Sequence, residues 1–307
     1  MSIRSYTQLM EQASNWQAQT TVTPQGNSVS YAFWNMAQPA QGHVLIIPGR
    51  NERFLKYTEV AGEWAARGIQ TLCVSPNPDV SNFTRYMDEF QHVFNSIWLP
   101  HVKNDFAIVQ GHSTGAHIAA RALSTGQSHI KGAEALIMSA PLAGMNYRVP
   151  HIPDSVAAAV TSIMGTLMPN AYALGQKAYD RSLWQFEGNR WTSDEGRYGM
   201  MMDIAEHAPQ HAPHGAKWGW VLAAQRSCAA FDRDLPKLKI PQLLLATPND
   251  RAVNGDAQGK FKLAERVDFP ESGHEIFMER DEIRAKAWQH IDRFVAQLRH
   301  NRAPHAA

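Results

Sequence analysis

The stretch DFAIVQGHSTGAHIAARAL, from Asp105 to Leu123, decides the fold of this chain. It begins with an apolar run typical of a buried strand and continues, after Ser113, with the spacing of an amphipathic helix. Ser113 lies between Gly111 and Gly115 in the pattern G-x-S-x-G. Chance alone produces this pattern in about one chain in ten of this length. A strand before it and a helix after it are the context in which such a serine stands on a nucleophile elbow.

The chain around this stretch alternates between short apolar runs and amphipathic segments. Strands are predicted at SVSYAFW (28–34), HVLIIPG (43–49), IQTLCVS (69–75), DFAIVQ (105–110), GAEALIMSAP (132–141), IPQLLLATPND (240–250) and ERVDF (265–269). Strands that are apolar throughout must be covered on both sides. The sequence therefore predicts an α/β fold, with a mostly parallel sheet and helices on both of its faces.

The alternation is interrupted once, which suggests how the chain is divided. We expect a lead-in helix in residues 1–27, the first part of an α/β core in 28–141, a largely helical cap insertion in 142–230, and the second part of the core in 231–307. The insertion is long enough to form a small domain.

Composition excludes several classes of protein. The 307 residues are 44% hydrophobic and carry a formal net charge of +1, without a basic stripe that would indicate nucleic-acid binding. The two cysteines, Cys73 and Cys228, are too few for a disulfide framework and are expected to be buried free thiols. The N-terminus has no apolar signal-peptide region, so a cytoplasmic location is expected. Peripheral contact with the inner membrane and the oligomeric state stay open.

A serine nucleophile needs a base, and fourteen histidines compete for that role. His274 follows the end of a predicted strand, at the sheet edge where open α/β sheets place ligands. His112 adjoins Ser113 and is expected to point away from it, and His117 is expected to pack or to face solvent. His207, His211 and His214 are spaced around two prolines, which disfavours a helical metal site.

The base needs an acid that orients it. Asp250 follows the predicted strand LLLA and is our choice, while Asp256 in the same loop remains an alternative. Asp232 and Asp234 precede that strand and would lie at the opposite edge. For the oxyanion, the backbone amides of Thr114 and Arg50 are expected to donate, since both follow predicted strand ends.

At this point the chain resembles the α/β-hydrolase fold family, and within it the bacterial lysophospholipase L2 and monoacylglycerol lipase group. The motifs that carry the resemblance are IIPGRNERFLKYTEVAGEWAARG (46–68), GHSTG (111–115), PQLLLATPNDRAV (241–253), ESGHEIFME (271–279), and, in the insertion, FEGNRWTSDEGRY (186–198) and KWGWVLAA (217–224). The resemblance places Asp250 at the family's acid position and His274 at its base position.

Two departures from the family pattern concern loops near the expected site. Pro48 stands where the family usually has histidine before the glycine of the oxyanion loop. SPNPDVSNF (75–83) replaces an Asp-x-Arg-Gly-x-Gly segment, so Ser75 stands in place of an acidic residue. We therefore expect the hydrolytic residues to be intact and leave the identity of the substrate open.

The sequence predicts a serine hydrolase that cleaves carboxylic esters through an acyl-enzyme, without a metal or an organic cofactor. The resemblance implies an ester with one hydrophobic chain, such as a lysophospholipid or a monoacylglycerol. A small-ester esterase or a serine peptidase on the same fold is one alternative, and a non-catalytic ligand-binding protein on a hydrolase scaffold is another.

An uncharged stretch in the insertion, Ser155 to Gln176, carries apolar residues at near-helical spacing. They are Val156, Val160, Ile163, Met164, Leu167 and Met168. Such a stripe is usually part of a core. The alternative is that Ile163 and Leu167 bind substrate by lining an acyl tunnel, or that this face rests on a membrane.

Overall fold

The computed structural model describes residues 2–75, 82–103, 105–125, 132–147, 151–207, 212 and 214–302. Its strands are β1 (Trp16–Val22), β2 (Ser28–Trp34), β3 (Gly42–Ile47), β4 (Ile69–Ser75), β5 (Ala107–His112), β6 (Ala135–Ser139), β7 (Gln242–Ala246) and β8 (Glu265–Asp268). Its helices are α1 (Tyr6–Ala13), α2 (Thr58–Ala66), α3 (Phe83–Val93), α4 (Leu99–Val102), α5 (Thr114–Thr125), α6 (Asp154–Leu167), α7 (Glu195–His207), α8 (Trp218–Ala229), α9 (Phe231–Asp234) and α10 (Asp281–Arg302).

The strands form one eight-stranded sheet in the order β1-β2-β4-β3-β5-β6-β7-β8. β2 is antiparallel to both of its neighbours, and the pairs from β4 through to β8 are parallel. The prediction of a mostly parallel sheet is confirmed. Because the carboxyl ends of parallel strands share one edge, the loops after β3, β5, β7 and β8 meet there.

Two hydrophobic cores lie on the two faces of the sheet. Val60 and Trp64 of α2 pack with Trp288 of α10 in one of them. Phe90 of α3 packs with Ile118 of α5 in the other. Every residue of β3, β5, β6 and β7 is buried, which explains why these strands are apolar throughout.

The expected lead-in helix in residues 1–27 is wrong in part. Only Tyr6–Ala13 is α-helical, and Trp16–Val22 is the edge strand β1, paired with β2. Five of its seven side chains are exposed, so the strand lacks the apolar alternation that would reveal it in the sequence. Its conformation comes from backbone pairing with β2.

Helices α6 to α9 lie between β6 and β7 in the chain, within the stretch expected to be an insertion. Its division from the core at residues 142 and 230 stays a prediction. Cys73 and Cys228 are free and buried, as expected. Within the described residues, no helix combines the length and the hydropathy of a membrane span.

Candidate active site

Ser113 lies in a tight turn between β5 and α5, with left-handed backbone torsion (φ 51°). A non-glycine residue rarely adopts this conformation, which costs on the order of 1–3 kcal/mol and is typical of active sites. The Ser113 amide donates to the carbonyl of Ser139, 2.9 Å away, so the end of β6 holds the turn in place.

The two glycines of the pattern are required by the closeness of the surrounding backbone. A Cβ on Gly111 would lie 2.5 Å from the Cα of Ala116. A Cβ on Gly115 would overlap the carbonyl oxygen of Ile47 at the end of β3. The glycines thus let α5 start directly against the strands, which turns the Ser113 hydroxyl toward the carboxyl edge of the sheet.

Ser113, His274 and Asp250 form a continuous hydrogen-bonded chain. The Ser113 Oγ lies 2.9 Å from His274 Nε2, and His274 Nδ1 lies 2.7 Å from Asp250 Oδ2. All three side chains are buried, with 8%, 3% and 1% of the respective residues exposed. The structure therefore brings together the three residues that the sequence singled out, in the arrangement of nucleophile, base and orienting acid.

The Asp250 carboxylate is also held by its own loop. Its Oδ1 accepts hydrogen bonds from the amides of Ala252 and Val253, and its Oδ2 accepts one from the Thr247 hydroxyl. Burial raises the pKa of Asp250, but the interaction with His274 and these hydrogen bonds outweigh it and leave the pKa below its usual value. Asp250 is thus an anion positioned to stabilise a protonated His274, whereas Asp256 is exposed at the start of a short 3₁₀ helix.

The expected oxyanion donors, the amides of Thr114 and Arg50, belong to the segments that follow the neighbouring strands β5 and β3. Thr114 is the first residue of α5, where amides are not used by the helix itself. Arg50 lies in the loop after β3, which is the strand next to β5. In that loop the Gly49 amide donates to Glu52, 2.7 Å away, and the Arg50 guanidinium donates to the carbonyls of His214 and Gly215.

A buried network of charges beside His274 was missed by the sequence analysis. Lys56 Nζ lies 2.7 Å from a carboxylate oxygen of Glu52 and 2.7 Å from one of Glu275, and Glu275 Oε2 lies 3.1 Å from His112 Nε2. His112 therefore points away from Ser113, as expected. The imidazole ring of His112 contacts the ring of His274 at a centroid distance of 4.8 Å. The adjacency of Glu275 to His274 and the i,i+4 spacing of Glu52 and Lys56 are the only sequence signals for this network.

The network is held together by mutual compensation of buried charge. Burial raises the pKa of Glu275, but His112 and Lys56 outweigh it and hold that pKa well below its usual value. Burial lowers the pKa values of Lys56 and His112, but Glu275 and Glu52 raise both above their usual values. Glu275 on one side and Lys56 and His112 on the other thus favour each other's ionised forms.

The donor set beside the candidate triad does not favour a metal ion. His112, His274 and Glu275 bring ligand atoms within 4.8 Å of one another, among the described residues. Both ring nitrogens of His274 are directed at Ser113 and Asp250, and Glu275 is already paired with Lys56. A metal bound there would have to displace these partners.

A segment of the insertion holds the His274 loop, which the sequence did not predict. The amides of His274 and Glu275 donate to the carbonyls of Arg190 and Trp191 at 3.0 and 2.8 Å. Asn189 in turn accepts from the amides of Trp191 and Thr192. The quoted motif FEGNRWTSDEGRY thus positions the candidate base.

A cleft of about 110 Å³ lies beside the loop that follows β3. Residues 50–56 form one side of it, and residues between 184 and 205 together with Glu275 complete the lining: Arg50, Asn51, Glu52, Arg53, Leu55, Lys56, Trp184, Trp191, Met201, Met202, Ile204, Ala205 and Glu275. The ring of Trp191 lies 5.8 Å from that of His274, so a wall of the cleft contacts the candidate base.

The two expected substrate-binding residues in α6 lie at the surface. Ile163 is 57% exposed and Leu167 is 72% exposed, so neither lines an enclosed tunnel and neither belongs to a core. His211 of the histidine-rich stretch lies outside the described residues, as do residues 76–81 of the departing loop.

The family profile described as "Serine aminopeptidase, S33" matches residues 38–281. No curated protein was found to match the chain by sequence.

Solved structures resemble the whole chain at low sequence identity. A soluble variant of monoglyceride lipase from Saccharomyces cerevisiae, in complex with a substrate analog, is 16% identical with a TM-score of 0.70, covering 92% of this chain and 96% of that one. Monoacylglycerol lipase from Paleococcus ferrophilus is 14% identical with a TM-score of 0.65, covering 87% and 98%. A thermostable carboxyl esterase from Bacillus coagulans is 15% identical with a TM-score of 0.64, covering 92% and 98%. At these identities the likeness establishes the fold.

Proposed function

The chain belongs to the serine aminopeptidase S33 family of α/β-hydrolases, and we propose that it is a serine hydrolase that cleaves carboxylic esters. The observation that carries the proposal is the hydrogen-bonded chain from Ser113 through His274 to Asp250. A binding protein on this scaffold would have no need of a strained serine, a base and an orienting acid in one line.

The reaction proceeds in two halves. His274 Nε2 takes the proton of the Ser113 hydroxyl as its Oγ attacks the carbonyl carbon of the ester. The amides of Arg50 and Thr114 donate to the oxyanion, and Asp250 stabilises the imidazolium. His274 then gives its proton to the leaving alcohol oxygen as the C–O bond breaks. Water then attacks the acyl carbon while His274 takes its proton. His274 gives that proton to Ser113 Oγ as the bond between the acyl group and Ser113 breaks.

For the substrate, we propose an ester with one hydrophobic acyl chain, either a lysophospholipid or a monoacylglycerol. The lipase names among the structural relatives support this choice. A small-ester esterase remains the alternative on the same chemistry, and the family description keeps a peptidase in view.

We also propose that α6 brings the enzyme to a lipid surface. Val156, Val160, Ile163 and Leu167 recur at helical spacing and are 49%, 43%, 57% and 72% exposed. An exposed apolar face on a helix of this kind lies favourably in the headgroup region of a membrane.

The test is labelling by a fluorophosphonate probe together with hydrolysis of a medium-chain ester. Ser113→Ala should abolish labelling and lower kcat by a factor on the order of 10⁶. Ser227→Ala is the matched control, because Ser227 is also a buried serine hydrogen-bonded to a histidine, His117, at 2.6 Å. Labelling of a folded Ser113→Ala variant at the wild-type level would contradict the proposal.

A further inference from the structure

The cleft beside His274 contains one partly buried cation that stands out from its neighbours. Arg53 lines the cleft, and within the described part of the chain no carboxylate forms an ion pair with its guanidinium. Lys56, three residues further on, has two carboxylate partners at 2.7 Å. The partial burial of Arg53 lowers its pKa, which leaves the guanidinium charged but poorly compensated.

The charged side chains of the whole cleft also favour binding of an anion. Three cationic side chains line it, those of Arg50, Arg53 and Lys56, against the two carboxylates of Glu52 and Glu275. Both carboxylates are engaged by Lys56. The cleft therefore has an excess of positive charge, and a partly enclosed space of this kind strengthens the attraction of an anion.

The position of the cleft identifies which part of an ester would enter it. During cleavage the base gives its proton to the leaving alcohol oxygen, so the alcohol lies on the base side of the nucleophile. Glu275 follows His274 directly, and Trp191 contacts the His274 ring. Both residues line the cleft, so one of its walls lies next to the candidate base, from which the leaving alcohol takes its proton.

We propose that this cleft is a subsite for an alcohol that carries a phosphate group, with Arg53 as the side chain that pairs with the phosphate. The proposal rests on the ester-hydrolase function above and names the part of the substrate that the site selects. A guanidinium matches phosphate because its planar N–H groups can form two parallel charge-assisted hydrogen bonds. Trp184, Trp191 and Ile204 provide apolar walls for the carbon skeleton of the alcohol.

The test compares two esters with the same octanoyl chain, one of glycerol and one of glycerol 3-phosphate. Arg53→Gln should lower kcat/KM for the phosphate-bearing ester by about 10- to 100-fold, as loss of hydrogen bonds to a charged group does. The same variant should change kcat/KM for the neutral ester by less than about twofold, and Arg53→Lys should restore part of the loss.

Arg226→Gln is the matched control, because Arg226 is an exposed arginine of α8 that does not line the cleft. It should leave both rates unchanged. An unchanged ratio of the two rates in Arg53→Gln would overturn the subsite while leaving ester hydrolysis in place. If the wild type hydrolysed neither of the two esters, the proposed function itself would be overturned.

Inhibition separates a substrate subsite from a site for free phosphate. Glycerol 3-phosphate should inhibit hydrolysis of the neutral ester competitively, and Arg53→Gln should weaken that inhibition about tenfold or more. Inorganic phosphate should inhibit much less, since it makes no contact with the apolar walls. Equal inhibition by both would overturn the assignment of the cleft to the alcohol part of the substrate.

Discussion

Ser113 and Ser227 each share a hydrogen bond with a buried histidine, and the group on the other side of the imidazole distinguishes them. His274 is backed by the Asp250 carboxylate, whereas His117 is backed by the carbonyl of Leu142 at 2.7 Å. A carbonyl orients a ring but carries no charge to stabilise an imidazolium. Burial lowers the pKa of His117 to about 3, so this histidine is too weak a base to activate Ser227.

The same reasoning predicts the effect of changing the acid. Asp250→Asn should lower kcat by a factor on the order of 10⁴, because an amide favours the wrong imidazole tautomer. The measurement is the steady-state kcat of a variant that has been shown to be folded. Asp256→Asn, the exposed neighbour in the same loop, should retain activity close to that of the wild type. The reverse result would move the acid to Asp256.

The three predicted residues of the candidate site share a property that the sequence can display. Each follows the carboxyl end of a predicted strand within a few residues, and Ser113 also lies between two glycines whose spacing reflects a steric requirement. The Glu275, Lys56 and His112 contacts have no such signature. They join segments far apart in the chain, and only the packed loops bring their charges together.

At the scale of elements, α6 has two apolar faces with different environments. Ala157, Thr161 and Gly165 are buried, and a Cβ on Gly165 would lie 2.5 Å from the Cβ of Leu222 in α8. The small residues thus allow α6 and α8 to pack closely. The larger apolar residues, such as Ile163 and Leu167, remain at the surface, which is why a helical stripe in the sequence could not tell core from exposed face.

Binding to vesicles tests the role of the exposed face. Ile163→Ser and Leu167→Ser should each weaken binding to phosphatidylcholine vesicles containing phosphatidylglycerol by about tenfold, because burying such a side chain is worth about 1.5–3 kcal/mol. Vesicle flotation measures the bound fraction of each variant. Leu263→Ser is the matched control, since Leu263 is 65% exposed but lies before β8, outside α6. Equal effects of all three variants would contradict docking through α6.

At the scale of the whole molecule, the sheet edge is where the core and the insertion are joined. The Trp191 segment hydrogen-bonds to the His274 loop, and the buried Arg197 of α7 pairs with Glu59 of α2 and Asp281 of α10. The candidate base thus depends on both parts of the fold. The buried ion pairs therefore connect segments from across the whole fold.

Removing one charge from the buried network beside His274 should therefore lower the stability of the whole protein. Glu275→Gln should lower the free energy of unfolding at neutral pH by about 3–5 kcal/mol, because it leaves Glu52 alone to compensate the two buried cations, Lys56 at 2.7 Å and His112 at 3.8 Å. Urea denaturation measures it. Glu271→Gln is the matched control, since the Glu271 side chain is 42% exposed in its pair with Lys286. It should change stability by no more than about 0.5 kcal/mol.

The pH dependence of that difference has a definite sign. The folded pKa of Glu275 lies well below its usual value of 4.5, so the carboxylate contributes its full stabilisation above the pKa of the unfolded chain. That contribution is lost as pH falls through the folded pKa. Glu275 also raises the pKa of His112 above 6.5, so the part of the stability that depends on protonated His112 is lost as pH rises through that folded pKa. The stability difference between the wild type and Glu275→Gln should therefore be largest between about pH 4.5 and 6.5, decline above that range and shrink below about pH 4. A difference that keeps growing below about pH 4 would contradict the assignment.

The sequence by itself determined the parallel core and the order of serine, acid and base along it. Strands buried on both faces must be apolar throughout, and an elbow against those strands must have glycine on both sides of the serine. These are local requirements, so they leave local patterns. Such patterns select Ser113 and His274 and favour Asp250 over Asp256 in the same loop as the acid.

Only the tertiary structure decided the edge strand β1, the exposed face of α6 and the charged cleft beside His274. β1 forms because β2 offers it backbone partners, and its own exposed side chains contribute no pattern. Whether Leu167 faces a core or solvent depends on what packs against α6. Whether Lys56 has a second carboxylate partner besides Glu52 depends on where Glu275 lies, more than 200 residues away. Each of these outcomes depends on which other segment packs against the residue, and that contact exists only once the chain has folded.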